Sequence, residues 1–497
     1  MYAGNWGSRR HTEQGARART LIVGAGHAGR TLARDLADNQ ELGLVPVGFL
    51  DDNKHHRRVD RLKVLGPISA LAAVVRSEGV HVVIVAIPSM PPVELAALLN
   101  TAARCGARVR YLPSFHAAVQ RGSRVEDLYA VSPASLLGRE EVQVVRPATQ
   151  ATVHGRRVLV TGAGGSIGSE LCRQIAAYGP AALYMLDHDE SNLHRLQLES
   201  SGEALLENDE LIVADIRDEA RIRRLFSELR PQVVYHAAAH KHLPLLERHP
   251  CEGVKSNVLG TMNLVDAAVD NGAERFIFIS TDKAADPTSV LGATKYLGEL
   301  VVRSRAGRGM CVGSVRFGNV LGSRGSFMHI LAHQIAAHEP VTITDPEVDR
   351  FFMTVEEAVG LVLEAGAMAE DGETFVLDMG EPVRIVSLVE TYAAQAGVND
   401  VQIRFTGLRP GEKLNEALFS EGEARTPTAN ARISATRGDP FSGDLDSELV
   451  KLFATAGRND ASDVRLVLTE LVPEYRPPEM QPAALSGLFD TLYPDDF

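Results

Sequence analysis

The sequence predicts an α/β protein with two Rossmann-like, parallel-sheet domains. A glycine-rich turn between an apolar strand and a helix occurs twice, in TLIVGAGHAGR and in RRVLVTGAGGSIGSEL. After each turn, apolar runs typical of buried strands alternate with helical segments, as in doubly wound sheets. The chain has 497 residues, more than one ordinary hydrophobic core accommodates, which also favours two domains.

The first series of elements predicts an N-terminal domain over residues 19–130, after a polar and basic lead-in at 1–18 that we expect to be disordered. Its glycines have GxGxxG spacing, and the strand-like runs LVPVGFLDD, VHVVIVAIPS and ARVRYLPSF follow. Asp51 and Asp52 come about twenty residues after the last of these glycines, where a nucleotide-binding fold places an acid. Two interpretations stay open: a nucleotide-binding domain, or a regulatory or assembly module that keeps only the fold.

The second series predicts a larger domain over residues 155–437, preceded by a linker with a short strand at 131–154. Its strand-like runs are RRVLVTG, AALYMLD, ELIVAD, QVVYHAAA, RFIFIST and MCVGSVRFGNV. From about residue 330 the pattern is less regular, as expected for a substrate-capping lobe that follows a nucleotide-binding fold. Residues 438–497 predict a helical C-terminal tail.

Composition excludes several classes of protein. The net charge of −13 and the pI near 5.7 argue against non-specific nucleic-acid binding, which requires a basic surface. The four cysteines are scattered without a CxxC pair, as is typical of reduced thiols in the cytoplasm. No apolar run reaches the roughly 18 residues that a transmembrane helix needs, and no signal-peptide pattern opens the chain. The sequence therefore predicts a cytoplasmic protein without a transmembrane segment in this chain.

The second glycine turn predicts an NAD site. Gly162, Gly165 and Gly168 let the backbone approach a pyrophosphate at a helix N-terminus. Asp187 ends the next strand, where a carboxylate accepts hydrogen bonds from the adenosine ribose and repels a 2′-phosphate, so NAD is favoured over NADP. Asp215, in LIVADIRD, is a candidate contact to the adenine or, alternatively, a helix N-cap.

Three histidines raise the question of a metal site. His236, His240 and His242 flank the end of a predicted strand, but no carboxylate or cysteine stands near them at ligand spacing. We therefore predict no metal.

The second domain resembles the extended short-chain dehydrogenase/reductase superfamily. More narrowly, it resembles the nucleotide-sugar 4,6-dehydratases of the capsular polysaccharide biosynthesis type. The resemblance covers roughly residues 155–420 and rests on VLVTGAGGSIGSEL, YHAAAHKHLPLLE, VKSNVLGT, FISTDKAADPTSVLGATK, VRFGNVLGSRGSF, DRFFMTVEEA and TGLRPGEKLNE. It implies an extended short-chain dehydrogenase/reductase fold with a C-terminal substrate-capping lobe. The first domain is similar to that of long, membrane-anchored members, so we expect a soluble relative or a start downstream of an anchor.

The resemblance implies a lyase that uses NAD and a UDP-sugar such as UDP-N-acetylglucosamine. Such an enzyme takes hydride from sugar C4, removes the C5 proton and the C6 hydroxyl as water, and returns hydride to C6. By the match to the TDK motif, Thr281 orients the C4 hydroxyl, Asp282 is the acid and Lys283 is the base. A base lysine needs a pKa lowered toward neutrality, which desolvation and the cofactor's positive charge provide.

A tyrosine that most of the superfamily uses is missing. That tyrosine lies four residues before the lysine and normally takes the C4-hydroxyl proton. In this chain the lysine is Lys295 and the position four residues before it is Leu291, which is similar to the apolar residue that long members have there. The candidates for accepting that proton are Asp282 or a water held by Thr281. By resemblance to those long members, we expect a product with retained C5 configuration.

The resemblance also implies further contacts. The remaining cofactor contacts are Ser166, Ile167, Ile216, Ala237, Ala238, Asn257, Ser280 and Lys295. The substrate contacts are Lys241, Asn319, Arg409 and Glu412. The implied setting is a homo-oligomer in the cytoplasm or at the periphery of the inner membrane, in the synthesis of a bacterial surface polysaccharide or glycoprotein glycan.

Two alternative functions remain open. An NAD-dependent nucleotide-sugar 4-epimerase needs the missing tyrosine and has no use for a lysine at position 283. A catalytically inactive nucleotide-binding scaffold or sensor is consistent with loss of the tyrosine, but the TDK motif and the glycine turn argue against it.

Overall fold

The structure is a computed structural model. It describes residues 18–38, 44–52, 58–59, 62–87, 98, 101–102, 105, 107–111, 147–201, 206, 208–321, 327–337, 339–370, 372–395, 398, 400–438, 441–475 and 477. The lead-in predicted at 1–18, except for its last residue, and the part of the predicted linker at 131–146 lie outside the described residues.

The chain divides into two compact units. The first comprises residues 1–140 together with 331–341 and 387–403, and the second comprises residues 141–330, 342–386 and 404–497. All of the catalytic, cofactor and substrate residues predicted above belong to the second unit. The domain boundaries derived from the sequence, 19–130 and 155–437, remain a proposal.

The described part of the first unit contains a six-stranded sheet with the order β3-β4-β2-β1-β5-β6. Its strands are β1 Ala18–Val23, β2 Leu44–Leu50, β3 Arg58–Val59, β4 Leu62–Gly66, β5 Val82–Val85 and β6 Arg108–Tyr111. Helices α1 His27–Asp38 and α2 Leu71–Ser77 connect them. All neighbouring strands are parallel except β3 and β4. Strands β2 and β5 are apolar throughout, as expected where both faces of a parallel sheet are covered.

The described part of the second unit contains a nine-stranded sheet with the order β20-β21-β17-β12-β11-β10-β7-β8-β9. These strands are β7 Arg157–Thr161, β8 Ala182–Asp187, β9 Leu211–Val213, β10 Val233–His236, β11 Arg275–Ile279, β12 Cys311–Arg316, β17 Glu373–Leu377, β20 Thr426–Pro427 and β21 Ile433–Thr436. Short strands outside it are β13 Asn319–Leu321, β14 Val341–Ile343, β15 Asp349–Arg350, β16 Phe352–Thr354, β18 Val383–Arg384 and β19 Ile403–Phe405.

Helices separate these strands. They are α3 Pro147–Val153, α4 Ser166–Ala176, α5 Glu190–Ser201, α6 Glu219–Leu229, α7 Leu243–Arg248, α8 Pro250–Gly253, α9 Gly260–Asp270, α10 Val290–Arg303, α11 Phe327–Ala336, α12 Val355–Met368, α13 Ile385–Gln395, α14 Leu445–Gly457 and α15 Ala461–Leu471. A π-helical segment at Val254–Leu259 leads into α9, and a 3-10 turn follows β11 at Asp282–Ala284. Helix α3 lies within the segment that the sequence predicted as a linker.

The strand order confirms the predicted fold class. Counted from β7, the first six strands of the large sheet have the order 3-2-1-4-5-6 of a dinucleotide-binding fold, with the reversal between β7 and β10. Ligands of such sheets bind beyond the carboxyl ends of the strands, at this reversal. Register brings Thr161 opposite His236, and His236 opposite Phe278, so the segments after β7, β10 and β11 meet at one edge.

The C-terminal third of the chain contributes strands to the large sheet and helices to its hydrophobic core. Strand β17 extends the sheet in parallel beside β12, and β21 then runs antiparallel to β17. Helices α14 and α15 bury Leu449, Leu452, Val464 and Leu468 in the same core as α9 and α10. Over residues 445–475, the segment predicted as a separate tail is therefore part of the core of the second unit.

Candidate active site

The glycine turn after β7 requires close contact between two strand ends. Gly162 has a φ of +66°, and a Cβ added there would lie 2.7 Å from the Cα of Ala238, which follows β10. A Cβ on Gly168 would lie 2.0 Å from the carbonyl oxygen of Gly162. Gly165 is the N-cap of α4 and has no side chain to cap the first turn, which begins at Ser166 and continues through Ile167. This turn suits a pyrophosphate, since backbone N–H groups at a helix N-terminus attract anions.

Asp187 is buried at the end of β8 beside this turn. Its Oδ2 accepts a hydrogen bond from the amide of Gly164 at 2.9 Å, and its Oδ1 accepts one from the amide of Asp189 at 3.0 Å. Each carboxylate oxygen can accept a second bond, so the group can still receive ribose hydroxyls. Among the described residues, no lysine or arginine pairs with Asp187, so this end of the site fits NAD rather than NADP.

Asp215 and Ile216 follow β9 at the same edge of the sheet. Asp215 pairs with Arg217 at 2.6 Å, and the hydrogen bonds from the Arg217 side chain lower the pKa of this carboxyl group. The N-cap of α6 is Asp218, so capping this helix is not the role of Asp215. Ile216 packs against α9, where a Cβ on Gly260 would lie 2.6 Å from the Ile216 side chain.

Asn257 forms hydrogen bonds with the loop after β10. It is buried in the π-helical segment, accepts a hydrogen bond from the amide of His240 at 2.9 Å and donates one to its carbonyl oxygen at 3.1 Å. Its Nδ2 also lies 3.1 Å from the Oγ1 of Thr294 on α10. This loop carries Ala237, Ala238 and the exposed Lys241, so Asn257 positions the loop on which those predicted contacts lie.

The TDK motif forms the 3-10 turn directly after β11. Thr281 caps this turn, and its Oγ1 donates a hydrogen bond to the Oδ1 of Asp282 at 2.9 Å. Asp282 is completely buried, and its Oδ2 has no hydrogen-bond partner among the described residues. A Cβ on Gly318 would lie 3.1 Å from that oxygen. A buried carboxylate oxygen without a partner is costly, and such groups occur at catalytic sites.

Lys283 lies among three oxygens. Its Nζ is 2.9 Å from the Oδ1 of Asp282, 3.4 Å from the Oδ1 of Asn319 and 3.6 Å from the Oε1 of Glu416. Its side chain is 19% exposed. Asn319, predicted as a contact to the sugar nucleotide, is thus brought together with the TDK motif. Glu416 was not among the predicted site residues.

The expected lowering of the Lys283 pKa is wrong for this arrangement. Desolvation does lower it, but the carboxylates of Asp282 and Glu416 outweigh that effect, and the pKa of Lys283 is raised above its ordinary value. The sequence indicated that Lys283 lies at the end of a buried strand. It did not reveal the second carboxylate, Glu416, which is 133 positions further along the chain. The two carboxylates therefore favour the ammonium form of Lys283.

Arg409 and Glu412 belong to a hydrogen-bonded network around the RPGEKL turn. Arg409 is exposed and donates to the Oε2 of Glu412 at 3.1 Å, while Arg350 donates to the Oε1 of Glu412 at 3.1 Å. Arg350 also donates to the carbonyl oxygens of Lys413 and Leu414 at 2.9 Å each. It therefore shapes the RPGEKL turn. Sequence reasoning did not single it out, although it lies in the DRFF motif.

Helix α10 carries Leu291 and Lys295. Leu291 is buried in the hydrophobic core. Its side chain has no titratable group, so it cannot accept a proton. Lys295 is 5% exposed; its Nζ donates to the carbonyl oxygen of Ile279 at 2.5 Å and lies 3.9 Å from the ring centre of Phe278. Burial lowers the pKa of Lys295 to about 7, against a smaller opposing effect of Glu299. Ser280 donates to Glu299 at 2.6 Å, which ties the start of the TDK segment to α10.

Replacing Lys295 by methionine is expected to change how stability depends on pH. The folded-state pKa of about 7 lies below the ordinary value of 10.5, so unfolding takes up a proton between these two pH values. The contribution of Lys295 to the free energy of unfolding therefore rises through this window, by at most about 1.4 kcal/mol per pH unit. We expect Lys295→Met to gain most relative to the wild type near pH 7 and to lose that advantage toward pH 10.

Urea unfolding of both proteins at pH 7, 8 and 9 measures this difference. A difference in unfolding free energy that stays constant over this range would contradict the prediction.

Of the three histidines, His236 has a hydrogen-bond partner at each ring nitrogen. His236 is buried, with Nδ1 2.8 Å from the Oγ1 of Thr161 and Nε2 2.9 Å from the Oγ1 of Thr261. Burial holds its pKa well below the ordinary value. Within the described residues, no group of three or more potential ligands could hold a metal ion.

In the first unit, the acids after β2 contact the local backbone. The Oδ2 of Asp51 accepts from the amide of Ala25 in the glycine turn at 2.7 Å, and the Oδ1 of Asp52 accepts from the amide of Ile68 at 2.8 Å. A Cβ on Gly26 would meet nothing within 4 Å, so this turn leaves open space beside it.

Comparison with known proteins identifies the family of the chain. The model of a family described as polysaccharide biosynthesis protein matches residues 158–437, more than half of the chain. The chain belongs to this polysaccharide biosynthesis family. A second model, described as a CoA-binding domain, matches residues 5–113. The family match spans the glycine turn, the TDK motif and Glu416, while the second match covers the first glycine turn.

Relatives of this family member match between about half and four fifths of the chain. It is 41% identical to the probable polysaccharide biosynthesis protein EpsC of Bacillus subtilis, over 82% of this chain and 69% of the relative. It is 32% identical to a UDP-N-acetylglucosamine 4,6-dehydratase (inverting) of Campylobacter jejuni, over 54% of this chain and 79% of the relative. Among solved structures, Pen from Bacillus thuringiensis matches with a TM-score of 0.53 and 30% identity, over 59% of this chain and 89% of that chain.

A helix that crosses a bilayer must be both long and apolar. None of the helices in the described part of the chain combines the two properties.

Proposed function

We propose that this protein is an NAD-dependent nucleotide-sugar 4,6-dehydratase that converts UDP-N-acetylglucosamine into the UDP-4-keto-6-deoxy sugar for a bacterial surface polysaccharide or glycoprotein glycan. The observation that carries the proposal is the buried Asp282–Lys283 pair at the carboxyl edge of the large sheet, with one oxygen of Asp282 left without a partner. Family membership and the dehydratase among the relatives support an enzyme of nucleotide sugars at the coarser level.

The cofactor site follows from the fold. The turn from Gly162 to Gly168 would hold the pyrophosphate, Asp187 the adenosine ribose, and Lys295 the ribose of the nicotinamide. When bound, NAD supplies the acceptor for the hydride from sugar C4 and the donor that returns it to C6. Lys295 has three N–H donors, of which Ile279 occupies one, so two remain for ribose hydroxyls.

Thr281 and Asp282 offer a route for the C4-hydroxyl proton. The Thr281 hydroxyl already donates to the Asp282 carboxylate, so a C4 hydroxyl that donates to Thr281 would lie one hydrogen bond away from this carboxylate. This arrangement favours Asp282 over a water as the final acceptor. Asp282 then carries the proton that the next step requires.

Loss of water uses Asp282 and Lys283 together. Protonation of Asp282 by the C4 hydroxyl removes one of the two carboxylates that favour the ammonium form of Lys283, so Lys283 can release a proton to solvent. Neutral Lys283 then takes the C5 proton, a double bond forms between C5 and C6, and Asp282 gives its proton to the departing C6 hydroxyl. The result is a carboxylate beside an ammonium, the two groups that lie 2.9 Å apart in the structure. Lys283 then returns its proton to C5 as C6 is reduced, and uptake of a proton from solvent restores the ion pair for another turnover.

A single base on one face of the sugar favours retention at C5. Lys283 would remove and return the proton from the same side, because the turn that carries it is fixed by hydrogen bonds at Thr281 and Asp282. We therefore propose a C5-retaining enzyme, although the C. jejuni relative is named as inverting.

The test is incubation with UDP-N-acetylglucosamine in deuterated water, followed by mass spectrometry and NMR. We expect loss of water and a solvent deuteron at C5, with the configuration read from the coupling constants of the product. An isomer of unchanged mass would instead indicate a 4-epimerase, and unchanged substrate would indicate an inactive scaffold.

We further propose that the protein acts as a homo-oligomer in the cytoplasm, at or near the inner membrane, where a nucleotide sugar is delivered to glycan assembly. Light scattering of the purified chain measures its mass in solution, and a monomer at micromolar concentration would contradict the oligomer.

A further inference from the structure

Glu416 contributes a second buried carboxylate to the catalytic turn. Its side chain is 3% exposed, and its Oε1 lies 3.6 Å from the Nζ of Lys283. Its Oε2 is buried and has no hydrogen-bond partner among the described residues. Glu416 belongs to the segment after the RPGEKL turn, which folds back onto the TDK motif from more than a hundred residues away.

The contacts of Glu416 differ from those of a structural carboxylate. Nearby Glu412 uses both oxygens, Oε1 with Arg350 and Oε2 with the amide and side chain of Arg409. A buried carboxylate is stabilised by such complete pairing and is costly without it. Among the described residues, Glu416 forms an ionic contact with Lys283 only, so its burial is poorly explained by stability alone.

The surrounding segment holds Glu416 in place. Lys413 donates to the carbonyl oxygen of Ala285 at 2.9 Å, and Thr288 donates to the carbonyl oxygen of Gly411 at 3.1 Å. Both contacts join the segment before Glu416 to the chain directly after the TDK motif. The position of Glu416 relative to Lys283 is therefore set by hydrogen bonds other than its own.

We propose that Glu416 is a positioning residue that holds the ammonium of Lys283 and stabilises the positive charge that Lys283 acquires when it takes the C5 proton. The inference rests on the proposed dehydratase function. In the step that removes water, Asp282 is protonated and no longer attracts the ammonium. Glu416 is then the remaining carboxylate in contact with Lys283, and a preorganised charge of this kind lowers the barrier most when it faces a charge that develops during the reaction.

The charges that face Lys283 come from several elements. Asp282 and Glu416 favour its protonated form, Asn319 contributes a neutral amide oxygen, and Arg350 opposes protonation. Removing the charge of Glu416 thus lowers the pKa of Lys283 and makes it a weaker base. A weaker base is neutral at lower pH but accepts the C5 proton less readily.

The variant Glu416→Gln tests the proposal because it keeps the shape and removes the charge. We expect the pH-independent kcat to fall about tenfold. The acid-side limb of the kcat profile is expected to move to lower pH by about one unit or more. A merely structural role would lower activity without moving this limb. The matched control is Glu364→Gln, since Glu364 is an equally buried glutamate on α12. The acid-side limb of the kcat profile of this control is expected to stay at the wild-type pH.

A second readout does not depend on turnover. Competitive acetylation of Lys283 across a pH series, measured by mass spectrometry without substrate, reports the pKa of its amine. We expect the labelling midpoint to move to lower pH in Glu416→Gln, and Glu416→Met serves as the neutral variant if the glutamine protein does not fold. An unchanged midpoint would overturn the inference. If Glu416→Gln shows the expected midpoint shift but the wild type catalyses no dehydration, the proposed function fails while the pairing of Glu416 with Lys283 stands.

Discussion

Asp282→Asn is expected to reduce dehydration by at least about a thousandfold while NAD still binds. An amide can neither take the C4-hydroxyl proton nor give a proton to the departing C6 hydroxyl, so both roles proposed for Asp282 are lost together. Asparagine has nearly the same shape, and its Oδ1 can still accept hydrogen bonds from Thr281 and Lys283, which keep their places. The glycine turn and Asp187 do not contact this side chain and should be unaffected.

Product formation measured by mass spectrometry and NAD affinity measured by calorimetry separate the two effects. Asp218→Asn is the matched control, because Asp218 caps α6 and asparagine caps a helix about as well as aspartate. Turnover of Asp282→Asn within about tenfold of the wild type would refute the assignment and would favour a water held by Thr281 as the route for the C4 proton.

Arg316→Met is expected to destabilise the second unit by about 3–5 kcal/mol. Arg316 is 1% exposed, and its guanidinium donates to both oxygens of Glu299, at 2.8 and 2.7 Å, and to Glu423 at 2.8 Å. Without it, Glu299 becomes an uncompensated charge in the core. The loss also reaches the catalytic segment, because Glu299 accepts from Ser280 directly before the TDK motif.

Chemical unfolding measures this effect, and two further variants make it specific. Arg223→Gln removes an arginine whose ion pairs with Glu219 and Asp270 are exposed, so we expect a change of no more than about 1 kcal/mol. The double variant Arg316→Met with Glu299→Gln removes both buried charges and is expected to recover part of the lost stability. A loss below about 1 kcal/mol in Arg316→Met would show that the network adds little stability.

Much of the fold could be predicted because local pattern and burial coincide in a parallel sheet. Strands covered on both faces are continuous apolar runs, and the quoted runs from RRVLVTG to MCVGSVRFGNV contain β7 through β12. The three later strands of the same sheet were not recognised. They are β17, β20 and β21, which follow residue 330. Strand β17 pairs with β12, β21 pairs with β17 and β20 pairs with β21, so their places depend on pairing between distant parts of the chain.

The packing of helix α3 and of the C-terminal helices likewise could not be predicted from local pattern. Residues 147–153 carry two alanines and two threonines with little periodicity, yet Thr149 and Val153 are buried once the second unit is assembled. Helices α14 and α15 were recognised as helical, but amphipathicity alone does not identify the surface that a helix covers. Only the folded chain shows their apolar residues in the core beside α9 and α10.

The sequence by itself determined the two glycine turns, the acid at Asp187, the TDK motif and the absence of a tyrosine at Leu291. These features are local, since a turn, a strand end and a helix position are read from neighbouring residues. The tertiary structure alone decided that Glu416 faces Lys283 and that the Lys283 pKa is raised rather than lowered. It also decided that Arg350 shapes the RPGEKL turn. Protonation depends on every charge within a few ångströms, and folding brings those charges together from positions that no local pattern connects.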